Sequence, residues 1–307
     1  MRIIRNFPPT SSGCGFTSVL TLGTFDGVHK GHRHILSKLT GKAIDLGLQS
    51  VVVTFDRHPA FVLTPAEAPR VIMTLDEKLE ALEGCGIDIV AVIPFKTETA
   101  HMDAETFTKR FLLDCLGMKC FIVGYDHGFG KQRHGSGDSI QTMSKRYGFT
   151  LEVETPYTSN GTIVKSSTIR EFITEGNVKR ATELLGADYS LSGKVVHGRG
   201  IGSRRLGFPT ANVETIHSEK IVPAGGVYSG WVSHKGRRYT AVINIGTRPT
   251  LNVDEPAIEA HIIDFSGVLY DEELRVGFSR RIRETIKFDS EEDLVLQIRK
   301  DVQSVRH

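Results

Sequence analysis

Between residues 19 and 39 a strand, a glycine-punctuated turn and a helix start follow one another without a break. This unit restricts what the chain can become. Val19, Leu20 and Leu22 belong to an apolar run with the character of a buried strand. Gly23, Gly27 and Gly31 punctuate the turn, and Ile35, Leu36 and Leu39 carry one helical face. A helix that starts straight after a strand presents backbone N–H groups and the positive end of its dipole to an anion. His29 and His32 sit in this turn with Gly31 between them. Both can donate to a phosphate that gains charge during reaction. The competing reading is a surface turn with two solvated histidines.

The segments that follow keep the same alternation. Residues 50–55 (SVVVTF), 87–93 (IDIVAVI) and 120–123 (CFIV) read as further strands. Helices are expected from the turn to about residue 46, from Thr74 onward and over residues 104–113. Thr74 is a good N-cap, and Glu77 three residues on completes a capping box. Strand–helix alternation predicts an α/β, Rossmann-like parallel sheet with helices on both faces. Such sheets bind ligands beyond the carboxyl ends of their strands. The opening turn, residues 56–58 and residues 124–130 all follow strands, so they converge on that edge. Residues 1–18, with Pro8, Pro9 and a Ser/Gly cluster, read as a lead-in loop.

From about residue 191 the rhythm changes. Short β-type segments at 194–196, 227–232, 239–245, 258–264 and 275–282 are separated by Gly, Pro and Asn, which predicts an antiparallel barrel or sandwich. A terminal amphipathic helix over 290–305 carries Leu294, Ile298 and Val302 on its packing face. The domains are therefore expected at 1–186 and 187–307. Arg280, Arg281 and Arg283 read as a solvated face, and Arg248 as a loop cation.

Charge narrows the partners. Residues 1–186 carry 21 Lys and Arg against 20 Asp and Glu, and residues 187–307 carry 17 against 16. Neither part has the clustered positive face of a nucleic-acid binder, so small molecules are the expected partners. The four cysteines, Cys14, Cys85, Cys115 and Cys120, have neither CxxC nor zinc spacing. With no apolar run of membrane-spanning length, this composition predicts a cytoplasmic protein with reduced thiols and no membrane partner. It leaves a homo-oligomer open.

Residues 193–213 (GKVVHGRGIGSRRLGFPTANV) are the second anchor. Gly198, Gly200 and Gly202 spell GxGxG, but Ser203 breaks GxGxxG, and no GxxxxGK[ST] occurs in the chain. A dinucleotide fingerprint and a conventional P-loop are both excluded. Thr210 and Asn212 alternate onto one face of an extended segment and could offer two oxygens to a metal. Mg²⁺ takes such ligands, few from protein and the rest from water and phosphate. A polar strand edge is the competing reading.

Here the residues resemble a known family. The stretch LGTFDGVHKGH resembles the HxGH signature of nucleotidyltransferases related to class I aminoacyl-tRNA synthetases. It is similar in particular to the adenylyltransferase half of bacterial FAD synthetases. TFDRHP (54–59), VGYDHGFG (123–130) and VKSSTIR (164–170) match the same half in order. Aligned on Ile169 and Arg170, the family's first serine is Lys165 here. GFPTAN (207–212), VINIGTRPT (242–250) and EAHIIDF (259–265) are similar to the riboflavin kinase half. The resemblance implies that His29 and His32 steady the ATP phosphates, with Gly23, Phe25, Gly31, Ser166, Ser167 and Arg170 around them. It implies a flavin pocket shaped by Asp56, His58, Tyr125 and Asp126. In the second half it implies that Gly207, Thr210 and Asn212 hold Mg–ATP, with Thr210 and Asn212 toward Mg²⁺, and that Glu259 lies near the riboflavin hydroxyl. Read alone, His58 also suits a turn, Asp126 a cap, and Ser166 to Arg170 a helix N-terminus.

The two acceptors differ chemically. A phosphate monoester is already ionised at neutral pH, with a second pKa of about 6, so it needs orientation and screening but no base. An alcohol needs a proton acceptor, which Glu259 can supply. The expected path is riboflavin to FMN with release of ADP, then FMN to FAD with release of pyrophosphate. A chain with only one active half, and a flavin- or nucleotide-sensing protein, are the alternatives.

Overall fold

The structure, a computed structural model, describes residues 1–5, 15–125, 128, 137–197, 207–247 and 256–306. It divides into two units, Met1–Ser166 and Ser167–His307. Twenty residues before the expected 186/187 division therefore group with the second unit.

The apolar runs become the sheet of the first unit. Its strands are β1 (Arg2–Ile4), β2 (Ser18–Leu22), β3 (Gln49–Phe55), β4 (Ile89–Ile93), β5 (Met118–Gly124) and β6 (Thr150–Glu154). They run parallel in the order β1-β4-β3-β2-β5-β6. Chain order reverses between β2 and β5, which makes the crevice at their carboxyl ends the topological switch point.

Alternate residues feed two cores, one on each face of the sheet. Leu20, Val53, Ala91 and Phe121 pack with one set of helical residues, among them Phe107, Phe111, Leu112 and Ile140. Val19, Val52, Val90 and Ile122 pack with Leu36, Leu39, Leu79 and Leu82 on the other face. The helices are α1 (Lys30–Leu46), α2 (Ala60–Leu63), α3 (Leu75–Glu83), α4 (Thr97–His101), α5 (Ala104–Phe107) and α6 (Gly137–Tyr147). Thr74 and Glu77 form the expected capping box of α3. The helix expected over 104–113 is α5 followed by a π-helical segment, Thr108–Cys115. A small hairpin, β7 (Thr158–Ser159) with β8 (Thr162–Ile163), leads to α7 (Ser166–Thr174). The lead-in loop needs correction, because Arg2–Ile4 is an edge strand paired with β4. Three residues carry too little pattern to show this, and the pairing supplies it.

In the second unit α8 (Val178–Leu185) precedes a closed antiparallel barrel. Its strands are β9 (Tyr189–Val196), β10 (Ala211–Thr215), β11 (Gly226–His234), β12 (Arg237–Thr247), β13 (Pro256–Ile262) and β14 (Glu273–Arg283), ordered β10-β13-β12-β11-β14-β9. Closure removes exposed sheet edges. Ile258, Ala260 and Ile262 are buried, whereas Glu259 and His261 point the other way and are half-buried.

The terminal helix, α9 (Glu291–Val305), starts at Ser290, whose hydroxyl accepts the Asp293 N–H. Of its residues Asp301 is the buried one, at 3% exposure. Arg283 grips it with Nε at 3.1 and 3.2 Å from the two carboxylate oxygens and Nη2 at 2.8 Å from one. Arg281 Nη2 donates to the Gly225 carbonyl. The solvated-face reading is thus wrong for Arg281 and Arg283, although Arg280 is exposed. Asp301→Ala would strand Arg283 against the helix and is expected to destabilise the second unit by about 3–5 kcal/mol. Denaturant unfolding followed by the fluorescence of Trp231, the single tryptophan and a residue of β11, measures this.

Candidate active sites

The first site is built on the turn between β2 and α1. His29 is the N-cap of α1, and its Nδ1 accepts the His32 N–H at 3.1 Å. This cap bond places the ring proton of His29 on Nε2, which is thereby the ring's donor. The two imidazoles stack with centroids 3.5 Å apart, and Phe25 packs against His32 at 5.1 Å. Gly31 makes the stacking possible, because a Cβ there would lie 3.2 Å from the His29 ring and 3.3 Å from the Val164 carbonyl. Ser166 Oγ donates to the Asp26 carbonyl at 2.9 Å, tying the VKSS segment to the same turn. Lys165 Nζ lies 5.2 Å from the centre of the Tyr125 ring, a cation–π contact just beyond β5. Tyr125 is 42% exposed, so its ring is open to a planar ligand. Helix start, imidazoles and Lys165 thus all lie just beyond the carboxyl ends of β2 and β5 or in the segment tied to that turn.

The turn is strained. Phe25 has φ +48° and Val28 has φ +36°, conformations that side chains of this kind rarely adopt. Such residues cost about 1–3 kcal/mol each and persist where the surroundings over-determine them. Asp26, nearly buried, accepts the backbone N–H groups of Ile72 and Met73. Asp56 Oδ1 accepts the Phe95 N–H at 2.8 Å, and His58 Nδ1 accepts the Ala60 N–H at 3.2 Å. Both therefore brace the loop after β3. Lys78, 8% exposed on α3, donates to the Thr24 carbonyl at 3.1 Å, Thr54 Oγ1 at 3.0 Å and the Phe55 carbonyl at 3.0 Å. Burial lowers its pKa to about 8, against the opposing pull of Asp26 and Asp56.

The second site lies on the barrel. Glu259 of β13 pairs with Asn212 of β10 on one side and Asn244 of β12 on the other. Directly opposed residues have Cβ atoms about 4.5–5.5 Å apart, so the carboxylate sits between two amides. Thr210 precedes β10 by one residue, in phase with Asn212. His261, two residues beyond Glu259, donates from Nδ1 to the Pro209 carbonyl at 2.9 Å, and its ring meets Phe208 edge-on at 5.4 Å. The GFPTAN segment is thus pinned to the strand that bears Glu259. Gly207 has φ +74°, the left-handed conformation that favours glycine.

A family model described as FAD synthetase matches residues 14–168, and one described as riboflavin kinase matches residues 185–307. The bifunctional riboflavin kinase/FMN adenylyltransferase of Haemophilus influenzae is 36% identical over 307 residues, spanning 100% of this chain and 97% of that protein. The chain belongs to this bifunctional family. The Pseudomonas fluorescens member is 37% identical over 100% of this chain and 96% of its own length. A crystal structure described as a macrolide-efflux protein from Streptococcus pneumoniae aligns at TM-score 0.88 and 30% identity, covering 97% of this chain and 96% of that one. No described helix is long and apolar enough to cross a membrane.

Within this family's two halves, the structure gathers Gly23, Phe25, His29, Gly31, His32 and Ser166 about one turn. Ser167 and Arg170 are respectively exposed and half-buried on α7, where the second unit begins. Asp126, the glycines 198, 200 and 202, and Arg248 lie outside the described residues. Sequence reasoning missed Lys78, Asn244 and His261. Lys78 left a signal, since it falls among Leu75, Leu79 and Leu82 on an otherwise apolar stripe. Gly31→Ala is expected to push the His29 ring aside and lower adenylylation of FMN about tenfold or more, as misplaced catalytic groups do. Steady-state rates of FAD formation, compared with riboflavin phosphorylation by the same variant, check this.

Proposed function

We propose that the barrel unit phosphorylates riboflavin to FMN and the sheet unit adenylylates FMN to FAD. The observation that carries this reading is Glu259 seated between Asn212 and Asn244, in a chain whose other unit presents a histidine-capped helix start. The carboxylate serves the acceptor that must lose a proton, the riboflavin hydroxyl. The helix start serves the acceptor that is already an anion, the FMN phosphate. His29 Nε2 and His32 hold the ATP phosphates as charge builds on the leaving pyrophosphate. Lys165 adds a cation where the family pattern has serine. Tyr125 offers a face to the flavin or adenine ring, with Asp56 and His58 holding the wall of that pocket.

The donor set of the barrel site fits Mg²⁺. Thr210, Asn212 and Glu259 offer oxygen ligands alone, and Mg²⁺ prefers oxygen and keeps several positions for water and phosphate. Among the described residues no cluster of three or more His, Cys, Asp or Glu competes for a metal. Thr210 and Asn212 would hold the ion, which when bound screens the ATP phosphates, while Gly207 lets the backbone approach them. Cys85, Cys115 and Cys120 are free thiols, in keeping with a cytoplasmic location. We place the functional division at 186/187, two residues into the region that the riboflavin kinase family model matches.

Incubation with riboflavin, ATP and Mg²⁺, followed by chromatographic separation of flavins, tests the reading. FMN followed by FAD is expected. FMN alone would mean that only the barrel is active. Flavin binding without either product would make the chain a sensor.

A further inference from the structure

The buried lysine beneath the first site has no part in the reaction so far described. Its ammonium has three N–H donors and meets three acceptors, the Thr24 carbonyl, Thr54 Oγ1 and the Phe55 carbonyl. Thr54 Oγ1 in turn donates to the Thr24 carbonyl at 3.3 Å. Thr24 begins the strained turn that ends at His29, and Phe55 is the last residue of β3, followed by Asp56. One side chain thus joins the two strand ends that carry the phosphate and flavin loops.

We propose that Lys78 is the positioning residue of the adenylyl-transfer site, its ammonium holding the β2 and β3 turns in the register that FMN and ATP require. This rests on the assignment of adenylyl transfer to the first unit. The charged groups facing Lys78 are the carboxylates of Asp26, in the β2–α1 turn, and Asp56, after β3. Both favour the ammonium, and burial opposes it more strongly. Loss of the proton leaves two donors for three acceptors. The Thr54 hydroxyl can then compensate only by releasing Thr24. Charge on Lys78 is therefore coupled to the strained turn, and that charge is lost near a pH of about 8. Stability runs the other way. The unfolded chain keeps this proton up to the ordinary lysine range, so Lys78's own contribution to stability rises with pH through that window. Lost activity at high pH would then not come from unfolding at this residue.

The test uses the full chain and follows both reactions. FMN-to-FAD conversion by the wild-type protein should fall on a limb centred near pH 8. Riboflavin phosphorylation in the same samples should not share that limb. Lys78→Met should lower kcat for adenylylation about 10²-fold, leave phosphorylation unchanged and abolish the limb. Thr54→Val, a nearly isosteric change, removes one acceptor of the ammonium and should shift the limb to lower pH, which keeps the proposal testable if Lys78→Met does not fold. An adenylylation rate that stays flat across the range, a limb that survives Lys78→Met, or one that Thr54→Val leaves in place overturns the proposal. Wild-type protein that forms FMN but no FAD at any pH overturns the underlying assignment instead, and the proposal falls with it.

Discussion

Replacing His29 by asparagine is expected to remove most FAD formation from FMN while riboflavin phosphorylation continues at the wild-type rate. The choice of asparagine separates two roles of one side chain. His29 caps α1 through Nδ1, and asparagine is among the preferred N-caps, so the helix keeps its start. What is lost is the Nε2 donor on the far side of the ring. Removing one donor aimed at developing charge costs roughly 10²–10³ in kcat. The alanine variant would forfeit the cap as well, at about 1 kcal/mol. If asparagine restored full adenylylation, His29 would be a cap and nothing more. His32, stacked on His29 at 3.5 Å, depends on the same arrangement.

Glu259→Gln should do the reverse. The amide keeps the shape of the side chain and can still hydrogen-bond with Asn212 and Asn244, its cross-strand neighbours. It cannot accept the proton of an alcohol. Loss of a positioned general base typically costs about 10²–10⁴-fold, so FMN formation from riboflavin should fall by that range. Conversion of supplied FMN to FAD should not change, because its acceptor is already ionised. Rates with each flavin supplied separately read the two effects in one preparation. Equal loss of both reactions in folded protein would contradict the assignment of Glu259 to the kinase step.

Much of this architecture is legible in the sequence, for reasons that differ between elements. Strands buried on both faces are continuous apolar runs, so β3 and β4 announce themselves, and the Thr74–Glu77 box marks the start of α3. The opening turn is legible because strand, glycine and helix chemistry coincide within a few residues. What is hidden depends on partners distant in sequence. β1 is a strand because β4 is there to pair with it, and β6 has only exposed and half-buried residues, with no apolar run to reveal it. Asp301 is a polar residue on the buried side of α9, and it is Arg283, 18 residues earlier, that supplies its charge partner, with Gln297 Nε2 donating as well. In the same way, the row Asn212, Glu259 and Asn244 exists only after the barrel closes. Its members come from three segments that local patterning treats separately. Lys78 was the readable exception, a charge at a core-facing helical position that calls for buried acceptors.

The central claim is that one chain contains two separable sites that act in sequence. Mixing the two folded variants tests it most directly. With riboflavin, ATP and Mg²⁺, His29→Asn alone should stop at FMN, and Glu259→Gln alone should leave riboflavin largely unconverted. Together they should form FAD, the first supplying FMN that the second adenylylates. A mixture that accumulates FMN and forms no FAD, although Glu259→Gln is folded, would contradict the account.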